Sequence, residues 1–335
     1  MLISKNSTHN KLVFHAVIAI ALLFVVLVLG ITFGAEKLLL SDIFSNEKSV
    51  SKTIFFNIRL PRVIQCCLCG MLLAGAGCVF QGFFRNPLAD SGIIGISSGA
   101  TLGAVLSAFI PTSFQLFGLN PIVIFAFAGA LGAAFLVYVF SSSKEQNNTV
   151  MMLLAGTALA TFLSSIVSIL LLLHYKELHK IFVWTLGSFN GSNWKEFRLI
   201  IIPAIISFCF LSCCTKPLDA LTGGEESAQS LGVNIKCTRL ITLFAGSLAC
   251  ACAVSVAGTI GFVGLIAPHI ARKLYGSRHK TVLFFSSIWG AILLVFSDTL
   301  ARTIASPTEI PIGIVTSLLG VPFFILVLKN KKANL

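Results

Sequence analysis

Ten long apolar stretches separated by short polar breaks constrain this chain more than any other feature. They fall at 13–34, 63–83, 92–110, 121–141, 150–173, 198–214, 239–258, 260–275, 281–300 and 310–328. Roughly 20 mostly apolar residues suffice for a helix to cross the hydrocarbon of a bilayer. There every backbone N–H and C=O must be bonded inside the protein, so runs of this length are expected as helices. A soluble home is excluded by the charge content: 11% of residues are charged, against about 25% in an ordinary soluble domain. The expectation is an all-α polytopic membrane protein with about ten transmembrane helices. It is expected to form one transmembrane domain over 1–335, with both termini on the same side.

The larger share of the 24 Lys and Arg falls in segments that are internal if the N-terminus is internal. Lys5, Lys11 and the tail from Lys329 to Lys332 are the cleanest markers. Both termini are therefore expected in the cytoplasm, with the chain in a bacterial inner membrane. The first stretch, from Leu12 to Gly34, is longer than a signal-peptide core and lacks a good cleavage site, so it reads as a retained span. The net charge of +12 fits basic loops and anionic lipid; without a basic helix carrying interleaved aromatics, nucleic acid is not expected as a partner. Ten cysteines lie mostly within apolar runs and lack paired C-x-x-C spacing. They read as small packing residues, with no metal expected.

Polar breaks carry the remaining signals. The internal segment at about 215–239 contains Thr222 and Glu225 at capping-box spacing. Glu225 and Glu226 would favour the positive start of a short helix. Ala228 and Leu231 give that helix an apolar face, and Gly232 can end it. Such a helix outside the membrane is a candidate docking surface.

Within the spans, Gly95, Gly99 and Gly103 recur every four residues and are expected to let a second helix approach closely. The same stretch matches the G-x-S-x-G pattern through Ser97, but that motif needs a strand before it, and apolar helix surrounds it here. Thr157, Thr161, Ser164 and Ser168 form a polar stripe without charge, which either borders a solvated path or bonds to neighbouring helices. His269 is expected near the inner interface, and Asp298 is expected to pair with Arg302 one turn on. Arg59, Arg62 and Arg302 cluster at outer span ends, where they either reach for headgroups or meet an acidic soluble partner. No G-x-x-x-x-G-K-[ST] loop occurs, so any ATP must be hydrolysed on another chain.

Several segments together resemble the permease family of ABC importers for iron-siderophores, haem and cobalamin (the FecCD type). These are RLPR at 59–62, QGFFRNPLA at 81–89, GISSGA at 95–100, LLAG at 153–156, GEESAQSLG at 224–232, GTIGFVGLIAPH at 258–269, EIPIG at 309–313 and GVPF at 320–323. In order, they span 59 to 328. The resemblance implies the type II ABC importer permease fold and a homodimer with a central path. It implies two ATP-binding subunits, holding ATP and Mg, below the membrane. A periplasmic or lipid-anchored substrate-binding protein docks above, and no cofactor is held by this chain. It gives Gly224, Glu225, Glu226, Ala228, Leu231 and Gly232 the role of coupling to the ATPase. Arg59, Arg62 and Arg302 would face acids of the binding protein, and the Thr/Ser stripe would border the path. The Leu-Ala-Asp form at 88–90 leans toward haem over a siderophore as cargo, and Ser91 stands where proline is common.

Two other readings compete. A carrier or channel without ATP would want paired buried acids and no docking helix. An intramembrane serine protease would need Ser97 or Ser98 with His269.

Overall fold

The computed structural model describes residues 2–34, 50–110, 120–141, 149–173 and 178–332. Much of the outer break after the first span, including Lys37 and Lys48, lies outside these residues, as does the internal loop holding Lys144. Each expected span corresponds to a helix. In chain order these are α1 (Leu2–Thr32), α2 (Leu60–Phe83), α3 (Ile96–Ser107), α4 (Pro121–Ser141), α5 (Thr149–Leu173), α6 (Trp194–Leu221), α7 (Ile235–Ala257), α8 (Val263–Tyr275), α9 (His279–Thr303) and α10 (Ile312–Lys332).

Composition sorts the helices radially. Among the long apolar helices, α2, α7 and α9 are the most buried and α1 the least. The central three are rich in glycine, alanine, serine and cysteine, which lets backbones meet where lipid-facing leucines would hold them apart. A Cβ on Gly70 of α2 would strike the carbonyl of Gly290 in α9, and one on Gly77 would strike Gly264 in α8. Seven of the ten cysteines are buried or half-buried and none is in a disulfide. By contrast α1 turns Phe14, Val17, Phe24 and Val25 outward, as a helix facing acyl chains should.

Several spans differ from expectation in length: α1 begins at Leu2, well before 13, and α3 has only 12 of the 19 residues expected at 92–110. At about 1.5 Å per residue, the 28-residue α6 measures roughly 42 Å, more than a hydrocarbon core of about 30 Å requires. It starts on Asn193, whose Oδ1 accepts from the backbone of Lys195 and Glu196, and runs past Pro217 out of the apolar zone. The 13 residues of α8 reach only about 20 Å. The expected span at 260–275 is therefore only part helix, entered through a turn at 258–262 with Phe262 at φ +68°.

Backbone bonds tie the segment following the short helix Leu178–Thr185 both to the residue preceding that turn and to the start of α10. Ser188 N–H donates to Ala257 (2.8 Å), Ile312 to Gly187 (2.9 Å) and Gly313 to Leu186 (3.0 Å). Irregular backbone inside a membrane bundle persists only when its polar groups are met in this way.

The second span is preceded by helical turns at Val50–Thr53 and a π-helical stretch, Ile54–Arg59, within what was expected to be an outer loop. Pro61 opens α2, where its missing N–H costs nothing.

Candidate functional site

The contacts divide the chain's polar features between two ends of the bundle. One end holds Phe33, Arg59, Arg302 and Glu309; the other holds Arg85, Asp219, the 222–234 segment and His279.

At the second end, α6 stops at Leu221 and a short helix, Glu225–Ser230, follows. The capping box does not form. The Thr222 hydroxyl donates to the Asp219 carbonyl at the end of α6 (2.6 Å), and Gly224, at φ +112°, stands at the N-cap instead. Glu225 and Glu226 do occupy the first turn, where the helix dipole favours them.

The far end of this helix closes as a Schellman motif. Val233 N–H donates to Ala228 C=O (3.0 Å) and Gly232 N–H to Gln229 C=O (2.9 Å), with Gly232 at φ +81°. Ala228 is buried, whereas Leu231 is 73% exposed. The expected single apolar face is thus split: Ala228 roots the segment and Leu231 projects from it. Glu225 also receives Arg239 Nη2 of α7 at 2.9 Å, which ties the segment to the bundle. Nearby, Asp219 accepts from His279 N–H (2.9 Å) and contacts its Nδ1 (2.6 Å), and Arg272 donates to Oε1 of the Gln81 side chain.

At the opposite end, Arg59, Arg62 and Arg302 do come together, but not as an exposed basic patch. They are 5%, 7% and 4% exposed. Arg62 donates through Nε and Nη2 to Asp298 (2.8–3.2 Å) and through Nη1 to Glu309 (2.9 and 3.0 Å). Arg302 meets the other side of Asp298 at 3.0 Å, the expected pair one turn apart.

The remaining donors serve the end of α1, whose last carbonyls have no partner within their own helix. Arg302 donates to Gly30 and Phe33, and Arg59 to Ile31 and Thr32, at 2.7–3.2 Å. The negative end of the α1 dipole lies beside these guanidinium groups, which suits their charge. Sequence spacing shows Arg302 beside Asp298, but nothing in it announces Arg62 or Glu309, 236 and 247 residues apart from their partners.

The glycine series divides as well. Gly99 and Gly103 pack against α4, where a Cβ would strike the carbonyls of Gly129 and Phe125. Gly95 lies outside the helix, in the left-handed turn (φ +78°) that joins the 3₁₀ stretch Ser91–Ile94 to α3. Along α5, Thr157, Thr161, Ser164 and Ser168 are all exposed on the single chain. Three of their hydroxyls turn back onto their own helix, as in Thr161 to Thr157 C=O at 2.9 Å, and Ser164 meets the Ser98 hydroxyl at 3.4 Å. His269 packs its ring edge-on against Phe323. A cavity of about 610 Å³, not anticipated from the sequence, lies between the 185–186 and 259–261 turns and α10, lined by Thr185, Thr259, Ser317 and Pro322.

The sequence pattern of the FecCD transport family matches residues 22–330. The chain belongs to the FecCD transport family. Among its relatives, the cobalamin import system permease protein BtuC of Halobacterium salinarum is 39% identical over 85% of this chain and 75% of that protein. The Fe(3+)-citrate import system permease protein YfmD of Bacillus subtilis is 37% identical over 99% and 98%. The hemin transport system permease protein HmuU of Yersinia pestis is 37% identical over 83% and 84%. A metal-chelate type ABC transporter solved in an inward-facing conformation superposes with a TM-score of 0.82 at 32% identity, covering 96% of this FecCD chain and 99% of the other. The helical bundle described above is therefore the type II ABC importer permease fold.

Proposed function

We propose that this FecCD chain is the membrane-spanning subunit of an ATP-driven importer. It moves an iron complex, with haem ahead of ferric siderophores, from the periplasm to the cytoplasm. Both termini face the cytoplasm, which places the Glu225–Ser230 end inside. The observation that carries the reading is the coupling segment: a six-residue helix closed at its far end by a Schellman motif and tied to α7 through Glu225, with Leu231 73% exposed. A single exposed leucine is ordinary by itself; Leu231 supports the reading because it stands in the GEESAQSLG segment that resembles the family's coupling helix.

ATP-binding subunits docked on Gly224, Glu225, Glu226, Ala228, Leu231 and Gly232 would transmit closure to α6 and α7, which flank the segment. The chain itself carries out no chemical step. Its contribution is the difference in affinity its partners have for outward-open and inward-open bundles. The uncharged stripe on α5 suits a bulky chelate, with a second copy of the chain completing the path. A substrate-binding protein delivers the cargo at the opposite end. The names of the iron-citrate, hemin and cobalamin relatives support a metal chelate or tetrapyrrole as the class of cargo.

The test is gentle purification of the tagged chain, with identification of what accompanies it by mass spectrometry. A P-loop ATPase should stay with the wild type and be lost when 223–232 is deleted, while the deleted chain still inserts and purifies as a folded, monodisperse protein. Unimpaired uptake after the deletion would sink the reading. Competition of labelled haem by ferric siderophores in uptake then ranks the cargoes.

A further inference from the structure

A second cavity, of about 730 Å³, opens on the flank of the bundle between α2, α6 and α9. Its lining is graded along the membrane normal. Lys216 near the end of α6 and Lys280 at the start of α9 lie at the same end, because the two helices run antiparallel. Phe208 and Ile288 are each eight residues further in on those helices, about 12 Å deeper at 1.5 Å per residue. Leu283 and Phe284 line the intervening wall, and Met71 of α2 forms part of the floor.

No lining residue is acidic. Among the ion pairs of the described residues, neither lysine takes part. Asp219, the carboxylate one turn from Lys216, is already bonded to the backbone and ring of His279. Ser212, Thr215 and Ser287 also line the slot, but their hydroxyls donate to carbonyls of their own helices, so two exposed ammonium groups cap walls that are mostly apolar to a depth of two helical turns.

We infer that this slot is a binding site for an anionic glycerophospholipid of the leaflet on the coupling-segment side. Lys216 and Lys280 hold the phosphate, and one acyl chain lies along Phe208, Leu283 and Ile288. The amphipathic gradient selects this occupant. A soluble anion uses the two ammonium groups but leaves the apolar walls wet, and an acidic protein surface cannot follow them into the hydrocarbon. A zwitterionic lipid fills the slot but gains little from two cations near the surface. An apolar groove between α4 and α7, lined by Phe135, Tyr138, Leu243 and Phe244, has no cation at its mouth and so has no means of choosing among headgroups. The site adjoins the coupling segment through Lys216, but the inference holds whether or not the chain works with an ATPase.

The experiment is native mass spectrometry of the full chain released from detergent, titrated in turn with dioleoyl phosphatidylglycerol, dioleoyl phosphatidylethanolamine and inorganic phosphate. Phosphatidylglycerol should bind at least several-fold more tightly than phosphatidylethanolamine. Lys216→Gln and Lys280→Gln should each weaken it roughly fivefold, and the double arginine variant should restore it. Equal binding of the two lipids, or unchanged phosphatidylglycerol binding in the double glutamine variant, overturns the inference. Displacement of bound lipid by millimolar phosphate overturns it in favour of a free-anion site. Loss of a co-purifying ATPase from the glutamine variant, with lipid binding intact, reassigns the lysines to a protein contact.

Discussion

The two ends of the bundle use charge in opposite ways. At the Arg62 end, five ionised groups are packed together, with Asp298 1% exposed and flanked by two guanidinium groups. At the Glu225 end, the pair between Arg239 and Glu225 has nearly the same length, 2.9 Å, but the Glu225 side chain is 46% exposed. Distance alone makes them look alike; burial makes them different interactions. A buried pair that loses one partner leaves a charge stranded in a medium that cannot solvate it. An exposed pair that loses one partner is largely compensated by water. One end is thus fastened to itself, and the other keeps acidic and apolar groups available to a partner.

The sharpest way to break this comparison is to remove the carboxylate on which the buried network centres. Asp298→Ala leaves Arg302 without a carboxylate and Arg62 with Glu309 alone, and should cost about 3–5 kcal/mol. Thermal or denaturant unfolding of the purified chain reads this loss. A change of less than about 1 kcal/mol would mean the network is ornamental and the two ends are alike after all. Arg59→Ala tests the lesser half of the same network. It removes donors from Ile31 and Thr32 and should cost about 1–3 kcal/mol, the penalty of leaving buried carbonyls unpaired.

How much of this was legible beforehand depends on the range of each interaction. The ten helices could be read because each apolar run is itself long enough to announce a crossing. Asp298 with Arg302 could be read because one turn separates them. Arg62 and Glu309 could not, since pairing across more than 230 residues leaves no mark on local spacing. The shortness of α8 was hidden for a similar reason. Hydropathy continues smoothly through 258–262, while the residue preceding the turn is held by the distant Ser188 backbone. Gly95 matched its helical neighbours by spacing, yet backbone torsion set it apart. Thr222 had the right letter for a cap and the wrong neighbour, because the end of α6 captured its hydroxyl first.

Between the ends, the bundle is held by neither arrangement of charge. Gly103→Val sharpens the comparison by supplying this third case. The added side chain must push α3 away from Phe125 of α4, an overpacking that should cost about 1–3 kcal/mol. Because no ion is involved, its effect should not change between low and high salt, and a clear salt dependence would show that helix spacing in the middle is coupled to the charged ends.

The smallest expected change in stability carries the most about function. Leu231→Ser removes a side chain that is 73% exposed and should shift unfolding by no more than about 0.5 kcal/mol. Glu225→Gln keeps the shape of its partner and should cost under about 1 kcal/mol. Neither substitution touches the Schellman bonds at Ala228 and Gln229 or the burial of Ala228, so the segment keeps its form. If that form exists to engage an ATP-binding subunit, Leu231→Ser should abolish co-purification of the ATPase and sharply reduce uptake with the bundle intact. A loss of function matched by a loss of stability as large as that of Asp298→Ala would make Leu231 a structural residue. The Glu225 end would then be fastened to itself like the other, and the contrast drawn from burial would fail where it matters most.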